Sequence, residues 1–137
     1  MPDAHLVERL PAEAGSIAPL RAMLVDFAAG AGANDDAKAA VALASSEAIT
    51  NVVVHAYVGV PRGDIVVEAR RDSGGCLLVY VRDSGIGMRP RTDSPGLGVG
   101  LTVIAQMADD FRIVDRPDDP GVFISMRFSL DGSGSAS

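Results

Sequence analysis

Two glycine clusters stand within ten residues of each other, and together they limit what the chain can form. The first is Asp83-Ser-Gly-Ile-Gly87 and the second Gly96-Leu-Gly-Val-Gly100. Glycine admits positive φ and leaves no Cβ between the backbone and a ligand. Successive free N–H groups at a helix N-terminus form an anion site suited to phosphate. A single glycine motif is weak grounds for such a site. Here a carboxylate, Asp83, opens the first cluster at the end of the β-rich run Leu77 to Val81, and the second cluster leads into an apolar segment expected to be a helix.

Upstream lies Glu47-Ala-Ile-Thr-Asn51-Val-Val-Val-His55-Ala-Tyr57. Glu47, Asn51 and His55 follow an i, i+4, i+8 spacing, which on an α-helix lines one face. Val41, Ala44, Ala48 and Val52 trace a neighbouring apolar stripe, the pattern of a helix packed on one side.

The order Glu-x-x-x-Asn, then Asp-x-Gly-x-Gly, then Gly-x-Gly-x-Gly resembles the GHKL superfamily of gyrase, chaperone, histidine-kinase and mismatch-repair ATPases. Within it, Ser46 to Tyr57 is most similar to the anti-sigma-factor serine kinases of bacteria, and the likeness runs from about Leu6 to Leu130. The resemblance implies ATP and Mg²⁺ as cofactors, held between a helical layer and a sheet. It implies Glu47 as general base, Asn51 as Mg²⁺ ligand, and His55 close to the phosphates. Asp83 would read the adenine amino group beside Gly85 and Gly87. Gly96, Gly98 and Gly100, with Leu101 and Thr102 after them, would face the triphosphate. It further implies a sigma factor and an anti-sigma-factor antagonist as partners, and a homodimer.

Each residue also has a plainer reading. Glu47 alone would be a solvated helix glutamate, and Asp83 alone an Asp-Ser-Gly turn residue bonding its own backbone. Asn51 could hydrogen-bond within its helix, although asparagine is a poor helix former. His55 could satisfy the last carbonyls of a helix. Three departures from the pattern of the serine kinases and their relatives stand out, one being Val122 or Phe123 after Gly121 where a family threonine supports adenine near the last strand. Only Met88 to Pro95 separates the glycine clusters, and Ser94-Pro95-Gly96-Leu97 stands where those kinases often carry an arginine. Arg89 and Arg91 are the cations nearby. A regulatory ATP-binding module without phosphate transfer therefore stays open as an alternative. A sensor histidine kinase domain fits less well, since the chain has two histidines, His5 and His55, and no long helical hairpin to present one.

Length and composition set outer bounds. The 137 residues suit one domain, expected over 1–130, with 131–137 as a flexible Gly/Ser tail. A net charge of −6 argues against direct nucleic-acid binding. Cys76 has no disulfide partner and reads as a small buried hydrophobe. No apolar run approaches the roughly 20 residues that a membrane span requires, and no signal peptide opens the chain, so a cytoplasmic location is expected.

The expected order of elements is β-α-α-β-β-α-β-β. A strand covers Leu6 to Leu10. A helix capped by Ser16 runs to about Ala29, and one capped by Asn34 or Asp35 to near Tyr57. A hairpin joins strands over Asp64 to Arg70 and Cys76 to Arg82. A helix from Val99 to Met107 precedes strands at Phe111 to Val114 and Val122 to Phe128. Helices segregated from a hairpin-rich, mostly antiparallel sheet make a two-layer α+β sandwich.

Overall fold

The computed structural model describes residues 5–56, 63–83, 97–113 and 123–132. Five strands form one sheet: β1 (His5–Pro11), β2 (Asp64–Arg71), β3 (Cys76–Asp83), β4 (Asp110–Ile113) and β5 (Phe123–Ser129). Their order is β1-β2-β3-β5-β4, and every neighbouring pair is antiparallel. Three helices, α1 (Ile17–Gly30), α2 (Asp35–Asn51) and α3 (Leu97–Met107), complete the α+β fold expected from the sequence.

Alternation along the strands sets the two layers apart. Ile65, Val67 and Ala69 of β2, Leu77, Val79 and Val81 of β3, and Ile124, Met126 and Phe128 of β5 are buried. They share the core with Leu20 and Leu24 of α1 and with Val41, Ala44, Ala48 and Ile49 of α2. The apolar stripe read from the sequence is thus the buried face of α2. The hairpin between β2 and β3 closes on Asp72, whose Oδ1 accepts from the N–H of Gly74 (2.9 Å) and of Cys76 (3.0 Å). Gly75 there takes φ +81°, a conformation that favours glycine.

Helix ends depart from expectation in two places. Ser16 makes no capping hydrogen bond, because a short 3₁₀ turn, Ala14–Ser16, feeds directly into α1. After Asn51 the backbone of α2 widens into a π-helical turn, Val52–Ala56. Asn34, by contrast, caps α2 as expected, its Oδ1 accepting from Ala37 N–H at 2.8 Å. Tyr57, also placed on that helix by the sequence, lies outside the described residues.

The segment Asp35–Val54 is long and apolar enough to span a membrane by length and composition, which the sequence reading did not anticipate. Its most buried side chains, Val41, Ala44, Ala48, Ile49 and Val52, belong to the core packed on the sheet. At the other end of the chain, Asp131 and Gly132, expected in the tail, are tied into the fold. Asn34 N–H donates to Leu130 O at 2.9 Å, and Asn34 Nδ2 donates to Asp131 O. Residues 133–137 lie outside the described residues.

Candidate functional site

The C-terminal half of α2 carries Glu47 and Asn51. Helical spacing sets them on one face. Glu47 is half-buried, whereas Asn51 is only 4% exposed. Burial of a carboxamide without a partner is unfavourable by about 1–3 kcal/mol, yet Asn51 Nδ2 has no hydrogen-bond acceptor among the described residues. Nearby, the Thr50 hydroxyl donates to Ser46 O at 2.6 Å, closing its own polar group within the helix.

His55 belongs to the π turn. An i, i+8 alignment with Glu47 requires α-helical geometry throughout, and the i→i+5 bonding of a π turn widens the register from Val52 onward. Glu47 and Asn51, both ahead of that turn, keep their common face. The π turn packs against β3, which brings this end of α2 over the sheet.

Asp83 ends β3 and pairs in register with Ile65 of β2. The sequence reading began a turn there, but the ladder continues through it. Its side chain follows the alternation of Leu77, Val79 and Val81, so it lies on the helical side of the sheet and is 3% exposed. A carboxylate at that depth is costly to bury unless it is hydrogen-bonded. Its neighbours Tyr80 and Arg82 alternate with it and face the other way.

The third part is the start of α3. The helix opens at Leu97, two residues before the expected Val99, so Gly98 and Gly100 lie inside its first turn and not in a preceding loop. The first four N–H groups of any helix lack intrahelical acceptors, and here that turn is the second glycine cluster itself. Glycine adopts helical φ and ψ as well as extended ones, so the cluster can both begin the helix and leave its amides bare. Leu101 follows in the same helix, and Thr102 is exposed on it. Gly85, Gly87 and Gly96 lie outside the described residues.

One contact near the site is not among those expected from the sequence. Arg21 Nη1 of α1 donates to Ser46 Oγ at 3.3 Å, so the residue preceding Glu47 is tethered to the adjacent helix. The serine pair Ser45-Ser46 ahead of Glu47 was the available hint.

Residues 10–128 match the histidine kinase-like ATPase domain family. The anti-sigma F factor of Halalkalibacterium halodurans is 32% identical over 53% of this chain and 56% of its own length. That of Heyndrickxia coagulans is 31% identical over 62% of this chain and 65% of its own. The chain thus spans between about half and two thirds of these curated relatives. Among solved structures, the RsbU and RsbW domains of a Mycobacterium tuberculosis protein superpose with a TM-score of 0.74 at 25% identity. That match covers 94% of this chain and 33% of the other. The histidine kinase domain of a blue-light activated histidine kinase from Erythrobacter litoralis shares the fold, with a TM-score of 0.59 at 18% identity over 81% of this chain and 61% of the other. With residues 10–128 matched, this chain belongs to the histidine kinase-like ATPase domain family.

Proposed function

We propose that this chain is an ATP-dependent protein serine kinase of the anti-sigma type. It works as a single cytoplasmic domain, residues 1–130 extended to Gly132, that sequesters a sigma factor and phosphorylates an anti-sigma-factor antagonist as a homodimer. The observation that carries the reading is the pair of buried polar side chains Asn51 and Asp83, one on the helical layer and one on the sheet surface facing it. The printed names of the anti-sigma F factor relatives support the choice of branch.

The residues present fit ATP and Mg²⁺. Asn51 has a side-chain amide with no acceptor in the described chain, and a carboxamide can offer its oxygen to a cation and its N–H to a phosphate oxygen. Bound ATP–Mg²⁺ would supply the phosphoryl group and the cation that offsets its charge. Asp83 would accept a hydrogen bond from the adenine amino group, a contact that guanine does not offer. The first-turn amides of α3, in a turn that contains Gly98 and Gly100, would hold phosphate oxygens, with Gly96 before them and Leu101 and Thr102 after. By the family resemblance, Gly85 and Gly87 would let the chain pass close to the base, and His55 would lie near the phosphates. Glu47, half-buried beside Asn51, orients the serine hydroxyl of the antagonist and takes its proton as the oxygen attacks.

Parallel measurements of ATP affinity and of radiolabel transfer to the antagonist test the proposal. Glu47→Gln is expected to keep ATP affinity within a few-fold while transfer falls by about 10²–10⁴, the usual loss with a general base. Transfer undiminished in the variant removes Glu47 from the mechanism. The binding-module alternative is favoured by Ser94-Pro95-Gly96-Leu97, which lacks the expected arginine. Tight ATP binding by the wild type with no transfer to any antagonist would establish it.

A further inference from the structure

The sheet face turned away from the helices carries apolar side chains at its centre. An antiparallel sheet with one face in water ordinarily shows polar residues there. Here Val7 is 53% exposed, and Leu78, Tyr80 and Phe123 are half-buried. The Tyr80 and Phe123 rings stand with centroids 5.9 Å apart, beside an open groove of about 600 Å³.

Strand register sorts this face into rows that cross the sheet. One row reads Arg9, Val66, Arg82 and Phe123. The second is Val7, Glu68, Tyr80, Ser125 and Arg112, and the third is His5, Arg70, Leu78, Arg127 and Asp110. The last row holds Cys76 and Ser129, with Asp72 bonded to Cys76 N–H and Asp109 and Asp131 bonded to Ser129. Charge is therefore arranged unevenly along the strands. Arginines stand in the first row and three aspartates in the last, while each of the two middle rows carries both signs.

We propose that this face packs on a second copy of the chain, face to face, about a two-fold axis that crosses the strands between the second and third rows. Such an axis leaves each strand over its own counterpart and exchanges the rows. Glu68 then meets Arg70 of the second copy, Arg112 meets its Asp110, and Tyr80 covers its Leu78. Arg9 and Arg82 come to either side of its Asp72. The interface is isologous, so every one of these contacts occurs twice. Other placements fail on charge. An axis through the second row sets Glu68 on Glu68 and Arg112 on Arg112, and one through the third sets Arg70 on Arg70. An axis along the strands brings the two aspartate ends together. Five strands and four rows span about 24 Å by 27 Å, or roughly 1,300 Å² over both copies, which clears the roughly 1,000 Å² expected of a specific interface. The pairing gives the homodimer of the proposed function its contact face. Because the nucleotide site lies on the other side of the sheet, it does not depend on phosphate transfer.

Sedimentation equilibrium of the full chain over a range of concentrations tests it. The wild type is expected to dimerise. E68R and R70E each set like charges across the axis and are expected to weaken the dimer about tenfold or more. The double variant E68R/R70E restores opposite charges and is expected to return to within a few-fold of wild type, with ATP affinity unchanged in all three. Asp110 and Arg112, exchanged singly and together on the short edge strand β4, give the same comparison should a β2 variant fold poorly. A wild type that stays monomeric at every concentration overturns the proposal. So does a dimer indifferent to the single variants, or a double variant as weak as they are. A monomer that still phosphorylates the antagonist removes the pairing and leaves the kinase reading; a dimer with the expected charge response and no transfer does the reverse.

Discussion

Two side chains of α2 bury polar atoms that find no partner among the described residues, and they call for opposite outcomes on substitution. Ser45 is fully buried with its hydroxyl unmatched. An unsatisfied buried polar group costs about 1–3 kcal/mol, so Ser45→Ala is expected to raise the denaturant midpoint by the equivalent of about 1 kcal/mol, with ATP binding unchanged. A lowered midpoint would mean that the hydroxyl has a partner. Asn51 is equally orphaned, but its place beside Glu47 gives it a task. Asn51→Ala should leave the melting temperature of the free protein near wild type and abolish the Mg²⁺ enhancement of ATP affinity, as isothermal titration with and without the metal would read. Cys76 gives a pH-dependent case. Burial, and after it the negative charge of Asp72, push its thiol above the ordinary range. The folded protein therefore favours the neutral thiol, and reactive thiolate appears only at higher pH than in a free cysteine. The iodoacetamide rate profile of Asp72→Asn should shift to lower pH than that of the wild type, since the repelling charge is gone while the Oδ1 acceptor for Gly74 and Cys76 remains.

At the scale of elements, the start of α2 and the end of β5 are held by one residue. Asn34 accepts from Ala37 N–H with one side-chain atom and donates to Asp131 O with the other. Asn34→Asp should keep most of the helix cap, and Asn34→Ala should lose about 1 kcal/mol, the ordinary value of such a cap. Gly132 sits at φ +70°, and a Cβ there would come within 2.8 Å of Asn34 Oδ1. Gly132→Ala is accordingly expected to destabilise more than Asn34→Asp, because strain in the backbone adds to displacement of the cap; urea denaturation of the three variants orders them. Much of this architecture was legible beforehand. β-rich runs bounded by turn residues announced β2, β3 and β5, and the pair Asn34-Asp35 announced the start of α2. The π turn after Asn51 was not legible, because Val-Val-Val-His-Ala suits an α-helix equally well and the wider turn is a matter of tertiary packing on β3. The tail was placed one or two residues too early for a related reason: Asp131 and Gly132 have a loop composition, and the contact with Asn34, far away in sequence, is not visible in it. In the candidate site, the burial of Asp83 was hidden because the motif signals a turn and says nothing of which face of the sheet the last strand residue takes.

For the molecule as a whole, a ligand held between two layers should stabilise both at once. ATP binding only to the folded state adds RT ln(1 + [L]/Kd), about 2.7 kcal/mol at a hundredfold excess over Kd, and a thermal shift assay with Mg²⁺-ATP should show a single cooperative transition moved upward. Asp83→Asn should flatten that shift, and a full shift retained with a nucleotide lacking the adenine amino group would separate the base contact from the rest of the site. The layers also give the molecule a direction. Gly132 is fastened at the N-terminal end of α2, while Asn51 occupies the opposite end of the same 17-residue helix, roughly 25 Å away at 1.5 Å per residue. A fluorophore or carrier domain joined beyond Gly132 would thus sit at the far pole from the candidate site, free of steric conflict with it, and linked to it through one rigid rod that could report strain from either end.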